Sequence, residues 1–183
     1  MPLLQAENQT DDIQETIEAL PGNEVNADQI AEAIMQNMDD QQQQNSQHFI
    51  LAGKELLFGK ETHYQIMDNL KKSNDVVQDL GYGAYQLMIT MIQSGGLSVQ
   101  DRPDVSAVII PSGVILMSLA AEFMNESNEF PDITLDQFGD AVEIFTHMML
   151  KHDPEFNQDQ EEIPEQQMQG QPQPSGELLN MGG

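Results

Sequence analysis

Apolar residues are most concentrated between residues 104 and 127, where the seventeen residues from Val105 to Ala121 carry no charge. This run lies at the lower edge of a membrane span, because a bilayer core needs about 20 apolar residues in helix. However, Pro111, Ser112 and Gly113 interrupt it, acidic residues flank both ends, and no cluster of Lys or Arg marks a cytoplasmic side. The pattern therefore predicts a buried central helix and no membrane span.

Proline at position 111 predicts an interruption of this helix, because its ring removes a backbone donor and restricts the residue before it. We expect a short helical or extended piece up to Ile110 and a longer helix from Ser112 to Asn125, with Val114 to Met124 mostly buried. A buried strand over residues 105–110 is the alternative. It is disfavoured because the chain offers no second convincing strand to satisfy its backbone.

Three more apolar stripes at helical spacing complete the central part of the chain. A long helix is predicted over residues 47–72, a second after the capping pair Asp75 and Gln78, and a third after the capping pair Thr134 and Gln137. The fold class predicted is therefore all-α, a small bundle of four main, broadly antiparallel helices over residues 47–152.

Glycines at positions 81 and 83 lie within the second of these helices, next to Ala84. Glycine in a helix interior costs about 1 kcal/mol relative to Ala, so this smooth patch indicates either a close helix crossing or a local break.

Residues 1–46 are predicted to be an acidic, flexible amino-terminal segment with two short amphipathic helices. Thr10 is the predicted cap of the first, and Asn26 with Gln29 that of the second. The polar run 39–45 is predicted to be a linker that marks the domain boundary. Such helices either dock weakly on their own domain or bind a partner's groove. The candidate partner-binding residues are Ile13, Ile17, Leu20, Ile30, Ile34 and Met38.

Residues 153–183 are predicted to be a disordered, acidic tail rich in Gln and Pro, because this composition buries too little apolar surface to order itself. Near its end, Leu178, Leu179 and Met181 are either a short docking motif or incidental.

Charge narrows the range of partners. The 183 residues carry a net charge of −25, and the two flanks hold 17 of the 31 acidic residues and none of the six basic ones. Phosphate recognition requires Lys and Arg, so we expect no direct binding to nucleic acid or to an anionic membrane surface. Because the amino terminus becomes acidic within ten residues, we expect no secretion signal.

Motifs for chemistry are absent from the sequence, and we expect no catalytic, metal or cofactor site. The segment Gly59-Lys60-Glu61-Thr62 departs from a phosphate loop at two positions, because the Lys is not followed by Ser or Thr and the earlier Gly is missing. No two of the four histidines are spaced to share a helical metal face, and there is no Cys. His63, near an apolar stripe, is more typical of a core histidine than of a ligand.

Twelve methionines, many on the core helices, favour adaptable packing; a surface that repacks against several neighbours is the alternative. A Met-rich helical core between acidic, Gln-rich tails, with Gln169-Gly170-Gln171-Pro172 and Met181-Gly182-Gly183 near the end, resembles small virion or head-assembly proteins of tailed bacteriophages.

That resemblance implies a non-enzymatic structural or assembly protein, located in the virion or the host cytoplasm. It implies binding to other virion or assembly subunits and self-association into a homo-oligomer. The alternative is an acidic nucleic-acid mimic that binds a basic protein surface. A mimic needs its carboxylates at fixed spacing, and 17 of the 31 are predicted to lie in mobile flanks.

Overall fold

A computed structural model describes residues 3–60, 63, 64, 66, 68, 75–94, 104–127 and 129–151, with the backbone alone at 3–10, 105 and 106. Within these residues no strand occurs, and the prediction of an all-α bundle is confirmed. Six α-helices have described bounds: α1 Leu3–Glu18, α2 Ala27–Gln36, α3 Asp40–Phe58, α4 Val76–Ser94, α5 Ile110–Ser127 and α6 Leu135–Lys151.

Helix α5 is the centre of the bundle and packs against α2, α3, α4 and α6. From Val114 to Met124 every residue is buried except Leu119, Glu122 and Phe123, which are half-buried. Residues Ala107–Ser127 are long and apolar enough to cross a membrane, but their most apolar 18-residue stretch is 83% buried inside the chain. This burial favours the interpretation of α5 as a core helix.

Before α5, a π-helical turn spans Val105–Ile109. Asp104 opens the turn: its side chain accepts the N–H of Ala107 at 2.7 Å, and its carbonyl accepts the N–H of Val108 at 3.0 Å. The α-helix starts at Ile110, directly after the π-helical turn, which places Pro111 at its second residue. The predicted interruption is thus a change from π-helix to α-helix, and the strand alternative over 105–110 is wrong.

Helix α3 begins and ends earlier than predicted. Residues 40–45, predicted to be a linker, are its first turns, so the predicted boundary at residue 46 falls inside a helix. The reason is a capping box, in which the Asp39 carboxylate accepts the N–H of Gln42 at 2.8 Å and the Gln42 side chain accepts the N–H of Asp39 at 2.9 Å. The helix ends at Phe58 and not near residue 72, because Gly59 is extended.

Helices α1 and α2 belong to the same core as the four predicted main helices. Helix α1 packs against α6, and α2 packs against α5. The predicted cap at Thr10 is wrong, because α1 begins at Leu3 and Thr10 lies inside it. The predicted cap of α2 is confirmed, since the Asn26 side chain accepts the N–H of Gln29 at 2.9 Å.

Glycines provide close contacts between helices at three points. A Cβ at Gly81 of α4 would lie 2.8 Å from the carbonyl oxygen of Ala141 in α6, so the predicted smooth patch is a helix crossing and not a break. At Gly113 of α5 a Cβ would overlap the ring of Phe145, and at Gly53 of α3 it would overlap the side chain of Leu116. Side chains at these positions would push the helices apart.

The other two predicted caps are also confirmed. The carboxylate of Asp75 accepts the N–H of Gln78 at 3.0 Å ahead of α4. Ahead of α6, the Thr134 hydroxyl accepts the N–H of Gln137 at 3.3 Å, and the Gln137 side chain accepts the N–H of Thr134 at 3.0 Å. These reciprocal bonds satisfy donors that the first helical turn leaves unpaired.

Candidate functional site

An apolar cleft lies between the end of α3, Ile66, the length of α4 and the middle of α5. Its volume is about 480 Å³, within the ~300–1,000 Å³ typical of ligand pockets. We call it the α4 cleft, and its lining residues are Leu56, Leu57, Ile66, Asp79, Leu80, Tyr82, Gly83, Ala84, Gln86, Leu87, Thr90, Leu116, Met117 and Ala120.

The floor of the α4 cleft is part of the hydrophobic core. Leu80 and Ala84 of α4 and Leu116 and Met117 of α5 are all buried there, Leu116 and Met117 almost completely. Above them, the side walls are formed by half-buried aliphatic residues: Leu56, Ile66 and Leu87. A side chain that enters the cleft therefore meets almost only aliphatic surface, which favours apolar groups.

The rim of the α4 cleft is an exposed face of α4, formed by Asp79, Tyr82, Gly83, Gln86 and Thr90. Gly83 lies in the middle of this face, and a Cβ at this position would meet no atom of the described residues within 4 Å. The Thr90 hydroxyl donates to the carbonyl of Gln86 at 2.7 Å and is thereby satisfied within the helix. Of the lining residues that the structure describes, Asp79 alone carries a charge.

Beside the α4 cleft, four rings form an aromatic cluster at the end of α3: Phe58, His63, Tyr64 and Phe123. The ring centroid of His63 lies 4.9 Å from that of Phe123 and 6.0 Å from that of Phe58. The Nδ1 atom of His63 is 3.1 Å from the carbonyl oxygen of Leu57, which accepts a hydrogen bond when Nδ1 carries the proton. His63 is half-buried and held by these contacts, in agreement with its interpretation as a packing residue.

A second, polar cleft of about 640 Å³ lies where the loop before α2 meets the loop before α6. The Glu122 carboxylate accepts the N–H of Ala27 at 3.2 Å, and the Asn125 amide bonds both the N–H and the carbonyl of Ile133, at 2.7 and 3.0 Å. These side chains therefore tie α5 to the two loops. No group of three His, Cys, Asp or Glu placed to hold a metal ion is found among the described residues.

The predicted partner-binding isoleucines of α1 and α2 lie inside the bundle. Ile13, Ile17, Ile30 and Ile34 are buried in this chain's own core, and the most exposed of them, Ile13, is 8% exposed. They are therefore covered by helices of the same chain, because α1 and α2 use their apolar stripes to pack on α6 and α5. Leu20 and Met38 are half-buried, and Leu178, Leu179 and Met181 lie outside the described residues.

Sequence reasoning missed the α4 cleft. Its walls come from residues that the helical stripes assign to the core, and its rim from the polar side of α4. The signal that could have indicated it is the pair of glycines, since Gly81 serves a helix crossing and Gly83 leaves open space above the floor.

Comparisons of this chain with protein-family models, with curated proteins and with solved structures find no match.

Proposed function

We propose that this chain is a non-enzymatic structural or assembly protein, a component of a phage virion or of its assembly, that docks onto other protein subunits through its helical bundle. The observation that carries the proposal is the α4 cleft, whose apolar floor lies open beside an exposed helix face. Burial of apolar surface is the main driving force of protein association, and clefts of this kind accept anchoring side chains of a partner.

Adaptable packing at the floor of the cleft supports the proposal. Met117 lines the cleft and lies next to Leu116 and Ala120 on α5. An unbranched thioether side chain accommodates partners of different shape, as an assembly component that meets several neighbours requires.

Blocking the cleft tests the proposal. Gly83→Phe adds a large ring at a position with open space, so it occupies the cleft without a clash at the backbone. We expect this variant to keep the helical circular dichroism of the unmodified chain and to lose co-assembly with the other structural proteins of the particle. Gln47→Phe, an exposed position in the first half of α3, is the matched control and should retain assembly. Normal assembly by Gly83→Phe contradicts the proposal.

Self-association is a separate part of the proposal, and light scattering coupled to size-exclusion chromatography tests it. A mass that rises with concentration above that of one 20.4 kDa chain supports the homo-oligomer. A single-chain mass at every accessible concentration refutes it and leaves docking to other subunits to the assembly experiment.

The second candidate function is the acidic nucleic-acid mimic, and the amino-terminal helices favour it. Carboxylates in this part of the chain lie on or between packed helices, so their spacing is fixed as a mimic requires. The exposed ones are Asp11, Asp12, Glu15, Glu18, Glu24, Asp28, Glu32, Asp39 and Asp40.

Competition with duplex DNA for a basic DNA-binding protein distinguishes this function. A mimic displaces the DNA and binds more weakly as salt rises, because both ligands release counterions from the basic surface. Displacement that does not change with salt, or no displacement, contradicts the mimic.

A further inference from the structure

We propose that the occupant of the α4 cleft is an amphipathic helix of a partner protein, with bulky aliphatic side chains on one face and Lys or Arg beside them. This inference rests on the proposed docking function and specifies the chemistry of the partner. It follows from the shape of the cleft, from the close approach that Gly83 allows, and from the negative charge of this chain.

The shape of the cleft matches a short helix. Its rim follows α4 from Asp79 to Thr90, a distance of roughly 16 Å at 1.5 Å per residue, or about three helical turns. Asp79, Gly83, Gln86 and Thr90 recur at i, i+4, i+7 and i+11, so they form one straight stripe along the cleft. A partner helix that lies along this stripe presents anchors with the same spacing.

Gly83 provides the place for close approach. It is exposed, lies in the middle of the stripe, and has nothing within 4 Å of a built Cβ. A glycine at this point lets the backbone of a second helix come near α4, which side chains of ordinary size prevent. Glycine also costs about 1 kcal/mol of helix stability relative to Ala, and within the described part of the chain no atom close to a Cβ at Gly83 accounts for that cost, in contrast to Gly81.

The negative charge of this chain favours Lys or Arg beside the apolar face of the partner helix. Among the described residues that line the cleft, Asp79 is the charged one, and the whole chain carries −25. A second copy of this chain would bring an equal negative charge to the contact, so mutual repulsion disfavours it as the occupant. The negative field of the whole chain attracts a basic helix during association, and the Asp79 carboxylate forms an ion pair with a Lys or Arg of that helix.

Fluorescence anisotropy with a labelled synthetic peptide tests the inference on the full chain. The peptide carries Leu at i, i+4 and i+7 of one helical face and Lys on the flanks. Its control is a scrambled peptide of the same composition, which keeps the charge and loses the apolar face. We expect saturable binding of the first peptide, and binding of the scrambled peptide at least about tenfold weaker, the loss that ~1.4 kcal/mol of anchoring energy produces.

Substitutions in this chain test whether the peptide binds at the α4 cleft. Gly83→Phe should weaken binding of the Leu/Lys peptide at least about tenfold, while Gln47→Phe should stay within about twofold of the unmodified chain. Asp79→Asn should weaken it about two- to fivefold at low salt, the range of an exposed ion pair, and should have no effect on a peptide with Gln in place of Lys. All variants are first checked for unchanged helical circular dichroism.

Three outcomes overturn the inference. Equal binding of the scrambled peptide shows charge attraction without an apolar face, and equal binding by Gly83→Phe shows a site elsewhere. If the Leu/Lys peptide fails to bind but Gly83→Phe still abolishes assembly, the proposed function stands and the basic helix is the wrong occupant. If Gly83→Phe changes neither peptide binding nor assembly, both proposals fail.

Discussion

Replacing the two glycines of α4 separately by Ala tests how the bundle is packed. Both positions lie in the interior of the same helix, so each gains about 1 kcal/mol of helix propensity from the added methyl group. At Gly83 the methyl group meets nothing within 4 Å. We therefore expect Gly83→Ala to raise the free energy of unfolding by nearly the whole of this amount.

At Gly81 the same methyl group would lie 2.8 Å from the Ala141 carbonyl oxygen and 3.0 Å from Cβ of Ile144. Both atoms belong to the framework of α6 and cannot rotate away, so α4 and α6 must separate. Overpacking of this kind costs about 1–3 kcal/mol. After the propensity gain, we expect Gly81→Ala to be neutral to about 2 kcal/mol less stable than the unmodified chain.

Urea denaturation followed by far-UV circular dichroism measures this difference, since the chain has no Trp to report by fluorescence. The two variants should differ by about 1–3 kcal/mol, or roughly 2–4 °C in Tm for each kcal/mol. Equal m-values would show that both unfold from equally compact states. If Gly81→Ala is as stable as Gly83→Ala within ~0.5 kcal/mol, the close crossing between α4 and α6 is refuted.

Three further substitutions address the buried hydroxyls, a helix cap and the core. Ser112→Ala should lower the free energy of unfolding by about 1–3 kcal/mol, because it removes the 2.6 Å partner of the buried Ser46 hydroxyl. Ser46→Ala should cost less, because the Ser112 hydroxyl still donates to the Val108 carbonyl. Equal losses in urea denaturation would contradict this order. Asn26→Ala should lower stability by about 1 kcal/mol, measured by thermal denaturation, and an unchanged Tm would show that the Gln29 N–H needs no cap. Leu116→Ala should lower the free energy of unfolding by about 2–5 kcal/mol because Leu116 is 1% exposed. Leu51→Ala, at a residue that is 62% exposed, should change the urea midpoint little. Similar midpoints for the two variants would refute the burial of Leu116 in the core.

Local signals predicted the fold class and three of the six described helix starts. Caps at Asn26, Asp75 and Thr134 are properties of four consecutive residues, so the sequence contains all the information needed to place them. Burial of α5 was predictable for the same reason, because a long uncharged run has no polar side to expose.

Long-range features were not predictable from one sequence. The polar run 40–45 resembles a linker by composition. Its capping box at Asp39 is a local signal, but the packing of Ser46 and Ile50 on the core, which also supports the helix, depends on residues far along the sequence. Likewise, Ile17 and Ile30 have the same pattern whether their helices pack on their own chain or on a partner, and the choice depends on α5 and α6 far along the sequence.

The α4 cleft is open where Gly83 has no side chain, and no sequence motif marks it. Gly81 and Gly83 look alike in sequence, but one faces α6 and the other faces open space. That distinction requires the rotation of α4 relative to both neighbours, which no pattern within α4 specifies.

The contact between α1 and α6 has a consequence for how the chain is made. A ribosome releases α1 first and α6 last among the described helices, so α1, which carries Ile13 and Ile17, lacks its contact with α6 until translation passes Lys151. During that interval the apolar surface of α5 is also incompletely covered, and exposed surface of this kind attracts chaperones or aggregates. We therefore expect a nascent chain that stalls before Leu135 to bind chaperones. A chain that has been synthesised beyond α6 can complete its helical bundle.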